Sequence, residues 1–187
     1  VEGYITTVSG TNLINTITGT TSVSGTKTWR VPEGTELPES ITVILNRNDE
    51  PVARKKVTAA DDWSYEFTEL PAYSEDGSTA YTYTVDEEPV EGYITTVSGT
   101  NLINTITSVK ISKVDIADGE ELEGATIQLI DKETGEVVEE WTSTNEAHEV
   151  TGLTTGKTYI LRETVAPEGY GITSDTTFEL KEDGSID

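Results

Sequence analysis

The chain has 187 residues, room for about two small domains, and its 35 acidic against 12 basic side chains leave a formal net charge of −23, which nucleic acid and anionic membrane surfaces both repel. The absence of Cys excludes disulfides, thiolate metal sites and cysteine nucleophiles, and a single His, His148, argues against His-based metal clusters and His-dependent triads. No apolar run approaches the roughly 20 residues of a membrane helix, no signal peptide opens the chain, and neither a cofactor nor a metal is expected.

The first element in chain order is a repeat. Residues 1–18, VEGYITTVSGTNLINTIT, recur without a change at residues 90–107. Repeats with periods of tens of residues mark arrays of like modules, so residues 1–19 are read as the closing strands of a preceding repeat and residues 20–107 as a complete module. A diverged second copy follows at residues 108–187. There SVSGTK is answered by SVKISK, ELPESITVIL by ELEGATIQLI, and YTVDEEPVEGY by YILRETVAPEGY, in the same order. The boundary near Thr107 and Ser108 has almost no linker and predicts a stiff joint.

Within each module the pattern alternates with period two. ITVIL, WSYEFTEL, TAYTYTV, ATIQLI, KTYILRE and TTFELKE are rich in Thr, Val, Ile and Tyr, and turns such as SEDGS, DKETGE and KEDGS bound them. Short strands at this spacing predict an all-β chain of tandem antiparallel β-sandwiches.

Parity then turns unexpected residues inward. Lys27 shares a strand face with Val23, Gly25 and Trp29, and Lys113 shares one with Val109 and Ile111. Glu87 lies with Tyr81, Tyr83 and Val85, Glu163 with Tyr159 and Leu161, and Asn104 with Leu102 and Ile106. An ordinary explanation is strand-end snorkelling and plain ion pairing. The recurrence of an inward Lys and an inward Glu in two diverged modules favours chemistry instead. Desolvation takes the proton from a Lys and leaves one on a Glu. A neutral amine beside Asn104 can then attack the carboxamide while a protonated Glu87 polarises its oxygen and shuttles protons. Ammonia leaves and an amide joins first strand to last, once per molecule.

Both modules resemble the Cna B-type repeats of Gram-positive surface adhesins and pilins. In the first, the resemblance rests on VSGTKTW, LPESITVIL, WSYEFTELPAY and YTYTVDEEPVEGY followed by INT. In the second it rests on VKISKVDIADGEELEGATIQL and YILRETVAPEGY, which are similar to the pilin-type branch. The resemblance implies a compact β-sandwich of Cna B type (prealbumin- or Ig-like), and an autocatalytic Lys–Asn isopeptide bond assisted by an acid. The family's cross-linking Lys falls on Lys27 and Lys113, its acid on Glu87 and Glu163, and its Asn on Asn104. The second module has no Asn after Asn145, so this sequence is expected to stop before the module's last strand; the family's partner for Lys113 would lie beyond Asp187, and either the native protein continues or the second module lacks the bond. Asp183 and Asp187 are the carboxyl alternatives. Asn15, the copy of Asn104, could complete an open sandwich by strand addition; the plainer reading is a loosely packed leftover of a neighbouring repeat.

Other features carry less. The acidic clusters at residues 61–62, 86–88, 118–123 and 139–140 lack the calcium-loop spacing and read as solvated faces. His148 reads as a surface residue, and Trp29, Trp63 and Trp141 as core anchors rather than a glycan site. The expected function is a stalk or shaft of an extracellular, wall-anchored adhesin or pilus protein, with neighbouring repeats as partners. Host protein or glycan would be met through other regions, and no nucleic acid or membrane is contacted by this segment. The alternatives are a direct host-binding module and an accessory region of a secreted carbohydrate-active enzyme.

Overall fold

The computed structural model describes residues 3–187; residues 1 and 2 of the opening repeat lie outside the described residues. The architecture is all-β, with one short 3-10 turn at Ala59–Asp61. By its contacts the chain forms two compact units. The first holds the described residues up to Pro89 together with Thr95–Asn104, and the second holds Val90–Ile94 with Thr105–Asp187.

In the first unit the strands are β1 (Tyr4–Ser9), β2 (Asn12–Ile17), β3 (Thr20–Arg30), β4 (Ser40–Arg47), β5 (Glu50–Thr58), β6 (Ser64–Pro71), β7 (Tyr83–Glu87), β8 (Tyr93–Ser98, whose first residues count with the second unit) and β9 (Asn101–Ile106, whose last two residues do). One sheet has the order β6-β3-β9-β8 and the other β5-β4-β7, while β1 and β2 pair only with each other. The alternation predicted for ITVIL is realised in β4, where Ile41, Val43 and Leu45 are buried and the residues between them are not. A two-residue turn at Asn48 and Asp49, both with positive φ, closes β4 onto β5. Asn and Asp tolerate that conformation, which matches the twist of paired strands.

One glycine is dictated by space. A side chain on Gly25 in β3 would place its first carbon 1.9 Å from the Thr100 carbonyl oxygen and 2.6 Å from the Tyr65 hydroxyl. The Tyr65 hydroxyl donates a hydrogen bond to that same carbonyl. Gly25 therefore lets the β8–β9 turn approach β3 closely, two residues before Lys27.

The sequence alternation of residues 79–85 overstates the strand, since β7 begins only at Tyr83. Upstream, Ser74 and Ser78 both donate to Asp76, Thr79 N–H donates to Ser74, and Thr82 N–H donates to Asn48. These local bonds compete with ladder formation and keep the segment a loop.

The second unit contains β10 (Ser108–Ile111), β11 (Thr126–Asp131), β12 (Val137–Thr142), β13 (His148–Thr151), β14 (Lys157–Val165) and β15 (Thr176–Leu180). Its sheets have the orders β12-β11-β14-β15 and β10-β13. Val109, Ile111, Leu129, Val150, Leu153, Tyr159 and Leu180 form its core, with Trp141, Leu161 and Phe178 packed against it. Leu129 is fully buried at the centre of β11. Leu129→Ala should cost about 2–5 kcal/mol of the second unit's stability. Native-state amide exchange should show weaker protection in β11 and β14 and unchanged protection in β3 and β4.

Candidate cross-linking site

Three strands of the first unit deliver one side chain each to a common point. Lys27 comes from β3, Asn104 from β9 in the same sheet, and Glu87 from the last position of β7 in the opposite sheet. Lys27 is 4%, Glu87 6% and Asn104 0% exposed. All three are the residues that strand parity turned inward, and Val23, Val85 and Leu102 share their faces as buried apolar neighbours.

The Glu87 carboxyl holds the other two together. Lys27 Nζ donates to Glu87 Oε2 at 2.8 Å and to Oε1 at 3.1 Å, and Asn104 Nδ2 donates to Oε1 at 3.1 Å. Thr95 Oγ1 adds a longer bond to Oε2 at 3.4 Å. The carbonyl oxygen of the Asn104 side chain is buried with no hydrogen-bond partner. Leaving such an acceptor unsatisfied costs about 1–3 kcal/mol, and a rotation of the carboxamide would turn it toward Glu87. Lys27 Nζ also lies 4.5 Å from the centre of the Trp29 ring.

Burial sets the protonation. Desolvation pulls the Lys27 amine below its ordinary range, against the opposing pull of its bond to Glu87. Desolvation likewise raises the Glu87 carboxyl, against its bonds to Lys27, Asn104 and Thr95. Both directions favour the neutral forms, a free amine and a carboxylic acid. Nearby Tyr65 is pushed up to about 12, by burial first and by the Glu87 charge second.

The second unit repeats half of this arrangement. Lys113, just past the end of β10, lies 3.5 Å from Glu163 of β14, with side-chain exposures of 17% and 3%. One Glu163 oxygen accepts from Thr173 N–H at 2.6 Å and from Thr173 Oγ1 at 3.0 Å. The other, Oε1, is buried without a hydrogen bond and is the oxygen that faces Lys113 Nζ at 3.5 Å. A cavity of about 210 Å³ opens beside the pair, lined by Ile111, Lys113, Leu161, Glu163, Thr173 and Thr176. The carboxyl alternatives are engaged elsewhere. Asp183 accepts from Ser185 at 2.6 and 2.9 Å, and Asp187 pairs with Lys181 at 2.9 Å. Asn15 is exposed on β2 and accepts from Thr6 Oγ1 at 2.6 Å.

The remaining flagged residues make structural contacts. Trp29 and Trp63 meet edge to face at 5.2 Å. His148 stacks on Trp141 at 4.4 Å and its Nε2 lies 2.7 Å from Glu139. Sequence reasoning missed Thr95, Thr173 and Tyr65. Strand parity places Thr95 opposite its neighbours on β8 and was a usable signal; Thr173 sits in an irregular segment with no periodicity to read.

Two family descriptions match this chain in tandem. Residues 23–105 match the Cna protein B-type domain, and residues 107–187 match a prealbumin-like fold domain. The chain is built of Cna B-type and prealbumin-like domains. It is 36% identical over 115 residues to the collagen adhesin of Staphylococcus aureus, covering 57% of this chain and 10% of that protein's length. The pilus adhesin SpaC of Lactobacillus rhamnosus GG, in its open conformation, shares the fold at 20% identity and a TM-score of 0.60, over 96% of this chain and 25% of that one. Two B repeat units of the S. aureus collagen-binding protein align at 30% identity and a TM-score of 0.48, over 91% of this chain and 52% of theirs.

The protonation directions give the Cna B-type domain a pH signature when its amine is left without a carboxamide, as in Asn104→Ala. For Lys27, held below 10.5, the unfolded chain binds the extra proton, so stability rises with pH from the lowered value toward 10.5. For Glu87, held above 4.5, the contribution is full below pH 4.5 and is lost as pH rises through the raised value. Relative to a chain that also carries Lys27→Met and Glu87→Leu, denaturant midpoints of Asn104→Ala should fall and then recover as pH increases. A flat difference would count against a desolvated pair.

Proposed function

We propose that residues 20–107 form a self-cross-linking stalk module, in which Lys27 and Asn104 join through an isopeptide bond with Glu87 as proton shuttle. The observation that carries this reading is the single buried carboxyl of Glu87, hydrogen-bonded to both the Lys27 amine and the Asn104 carboxamide. The neutral amine attacks Asn104 Cγ while protonated Glu87 donates toward Oδ1. The Nζ–Cγ bond forms, the Cγ–Nδ2 bond breaks, and Glu87 relays the amine proton to the departing nitrogen, which leaves as ammonia. Fixed neighbours in a dry interior supply the orientation that a bimolecular amide exchange lacks. The reaction runs once per molecule and is a maturation step, not turnover catalysis.

The bond would close a loop of about 78 residues, a restraint on the unfolded chain worth about 4–5 kcal/mol in the chain-entropy picture. It would also tie β3 to β9, near the two ends of the module, so tension along the array passes through a covalent bond rather than a strand ladder. That suits a stalk or shaft of an extracellular, wall-anchored adhesin or pilus protein. Its domain plan is a closing segment at residues 1–19, the cross-linked module at 20–107 and a pilin-type module at 108–187, each with neighbouring repeats as partners. The likeness to a collagen adhesin and the SpaC-like fold support this setting. Host protein or glycan would then be bound by regions elsewhere in the protein.

Intact mass under denaturing conditions tests the bond. The chain should weigh one ammonia less than its sequence, and Lys27→Ala or Glu87→Ala should restore the full mass and lower the thermal midpoint. A folded sample at full mass would sink the reading.

A further inference from the structure

The Asn104 carboxamide has two polar ends and one partner. Its Nδ2 donates to Glu87 Oε1 at 3.1 Å, while its Oδ1 is buried without a hydrogen bond. The cross-linking reaction loads both ends. As Lys27 Nζ attacks Cγ, negative charge gathers on Oδ1, and Nδ2 must then take a proton in order to leave. One carboxyl cannot hold the oxygen and protonate the nitrogen at the same moment, and Glu87 already sits on the nitrogen. The oxygen needs a donor of its own, since an uncompensated oxyanion in a dry interior is costly.

One hydroxyl reaches this point. Thr95 belongs to β8, the neighbour of β9 in its sheet, and its Oγ1 lies 3.4 Å from Glu87 Oε2. That exceeds the usual O–H···O range of about 2.5–3.0 Å, so the hydroxyl is loosely held. The repeat shows where else it can go. Thr6 and Asn15 are the counterparts of Thr95 and Asn104 in the identical segment. They stand opposite one another across β1 and β2, and Thr6 Oγ1 donates to Asn15 Oδ1 at 2.6 Å. The strand geometry of this segment thus brings the Thr hydroxyl onto the Asn carbonyl oxygen. For Thr95, rotation between staggered positions of one side-chain torsion is the movement required.

We propose that Thr95 is the oxyanion donor of the cross-linking reaction, its hydroxyl turning from Glu87 Oε2 to Asn104 Oδ1 as the Lys27–Asn104 bond forms. This rests on the self-cross-linking reading of residues 20–107 and assigns the reaction a residue beyond the Lys, Asn and Glu. Protonated Glu87 and Thr95 share Oδ1 during the attack, and Thr95 alone holds it once Glu87 turns to the nitrogen. The Nζ–Cγ bond forms, the carbonyl is restored as the Cγ–Nδ2 bond breaks, and the amine proton passes through Glu87 to the nitrogen that leaves as ammonia. Thr95 keeps its own proton throughout, so no further reactant enters.

The test follows ammonia loss by intact mass after a short pulse of cell-free synthesis of the full chain. Thr95→Val preserves the shape and β-branching without the hydroxyl and should slow the reaction about 100-fold, the scale of losing one oxyanion donor. Thr95→Ala should be equally slow, and Thr95→Ser should restore the rate to within a few-fold of the parent. These deficits should persist when each variant is compared at its own pH optimum. A parent-like rate in Thr95→Val overturns the proposal, as does a Thr95→Ser as slow as Thr95→Val, which would mark a packing role. A deficit that vanishes at the variant's own optimum also overturns it, because the hydroxyl would then act by tuning Glu87. The parent separates the two readings. If it loses ammonia and Thr95→Val does so as fast, only the role of Thr95 fails; if the folded parent keeps its full mass, the cross-link itself fails and this role with it.

Discussion

The desolvation of one lysine and one glutamate inside a thin β-sandwich is the constraint on which the first unit is organised. Taking either charge out of water costs several kcal/mol after relaxation, and the strands that carry Lys27 and Glu87 also bury Val23 and Val85. Three strands must converge for the pair to be tolerated. β3 brings the amine, β7 the acid, and β9 the carboxamide that shares it. Gly25 admits the β8–β9 turn close to β3, so the approach of the last strand is built into the backbone two residues from the amine. A chain without cysteine has here the materials for a covalent tie that needs no oxidant.

In the second unit β10 has β13 as its one strand neighbour among the described residues, and the same pair sits differently. Lys113 is partly open to solvent, and Glu163 satisfies one oxygen with the backbone and hydroxyl of Thr173 instead of a carboxamide. The Lys–Glu motif is thus compatible with two environments, and the neighbour of the first strand separates them. The heavy acidity plays no part in either site. Much of it is spent on local turns: Asp76, held down to about 2 by its bonds from Ser74 and Ser78, orders the loop before β7, and Asp131 caps the β11–β12 turn while pairing with Lys157.

Period-two alternation was enough to read the strands that face a core on one side, because only burial imposes that rhythm. β4 and β14 follow it closely. It misled at residues 79–82, where serine and aspartate side chains satisfy the backbone locally, and it could not say that β10 ends before Lys113. Parity alone carried Lys27, Glu87, Asn104 and Glu163 inward, since a residue's face in a strand is settled by its neighbours' polarity. Thr173, Tyr65 and the Trp29–Trp63 contact were beyond that argument, for each depends on which strand or loop lies across the interior.

The amino-acid sequence by itself determined the all-β class, the tandem plan and the inward side chains, because these follow from alternation and repetition within short segments. Only the tertiary structure decided that one Glu87 carboxyl touches both the amine and the carboxamide, since that meeting joins residues 27, 87 and 104 across two sheets. The two copies of NLINTI make the division plain. Leu102 and Asn104 are buried in β9 whereas their copies Leu13 and Asn15 are exposed in β2, and no property of the segment can account for a difference that its surroundings create.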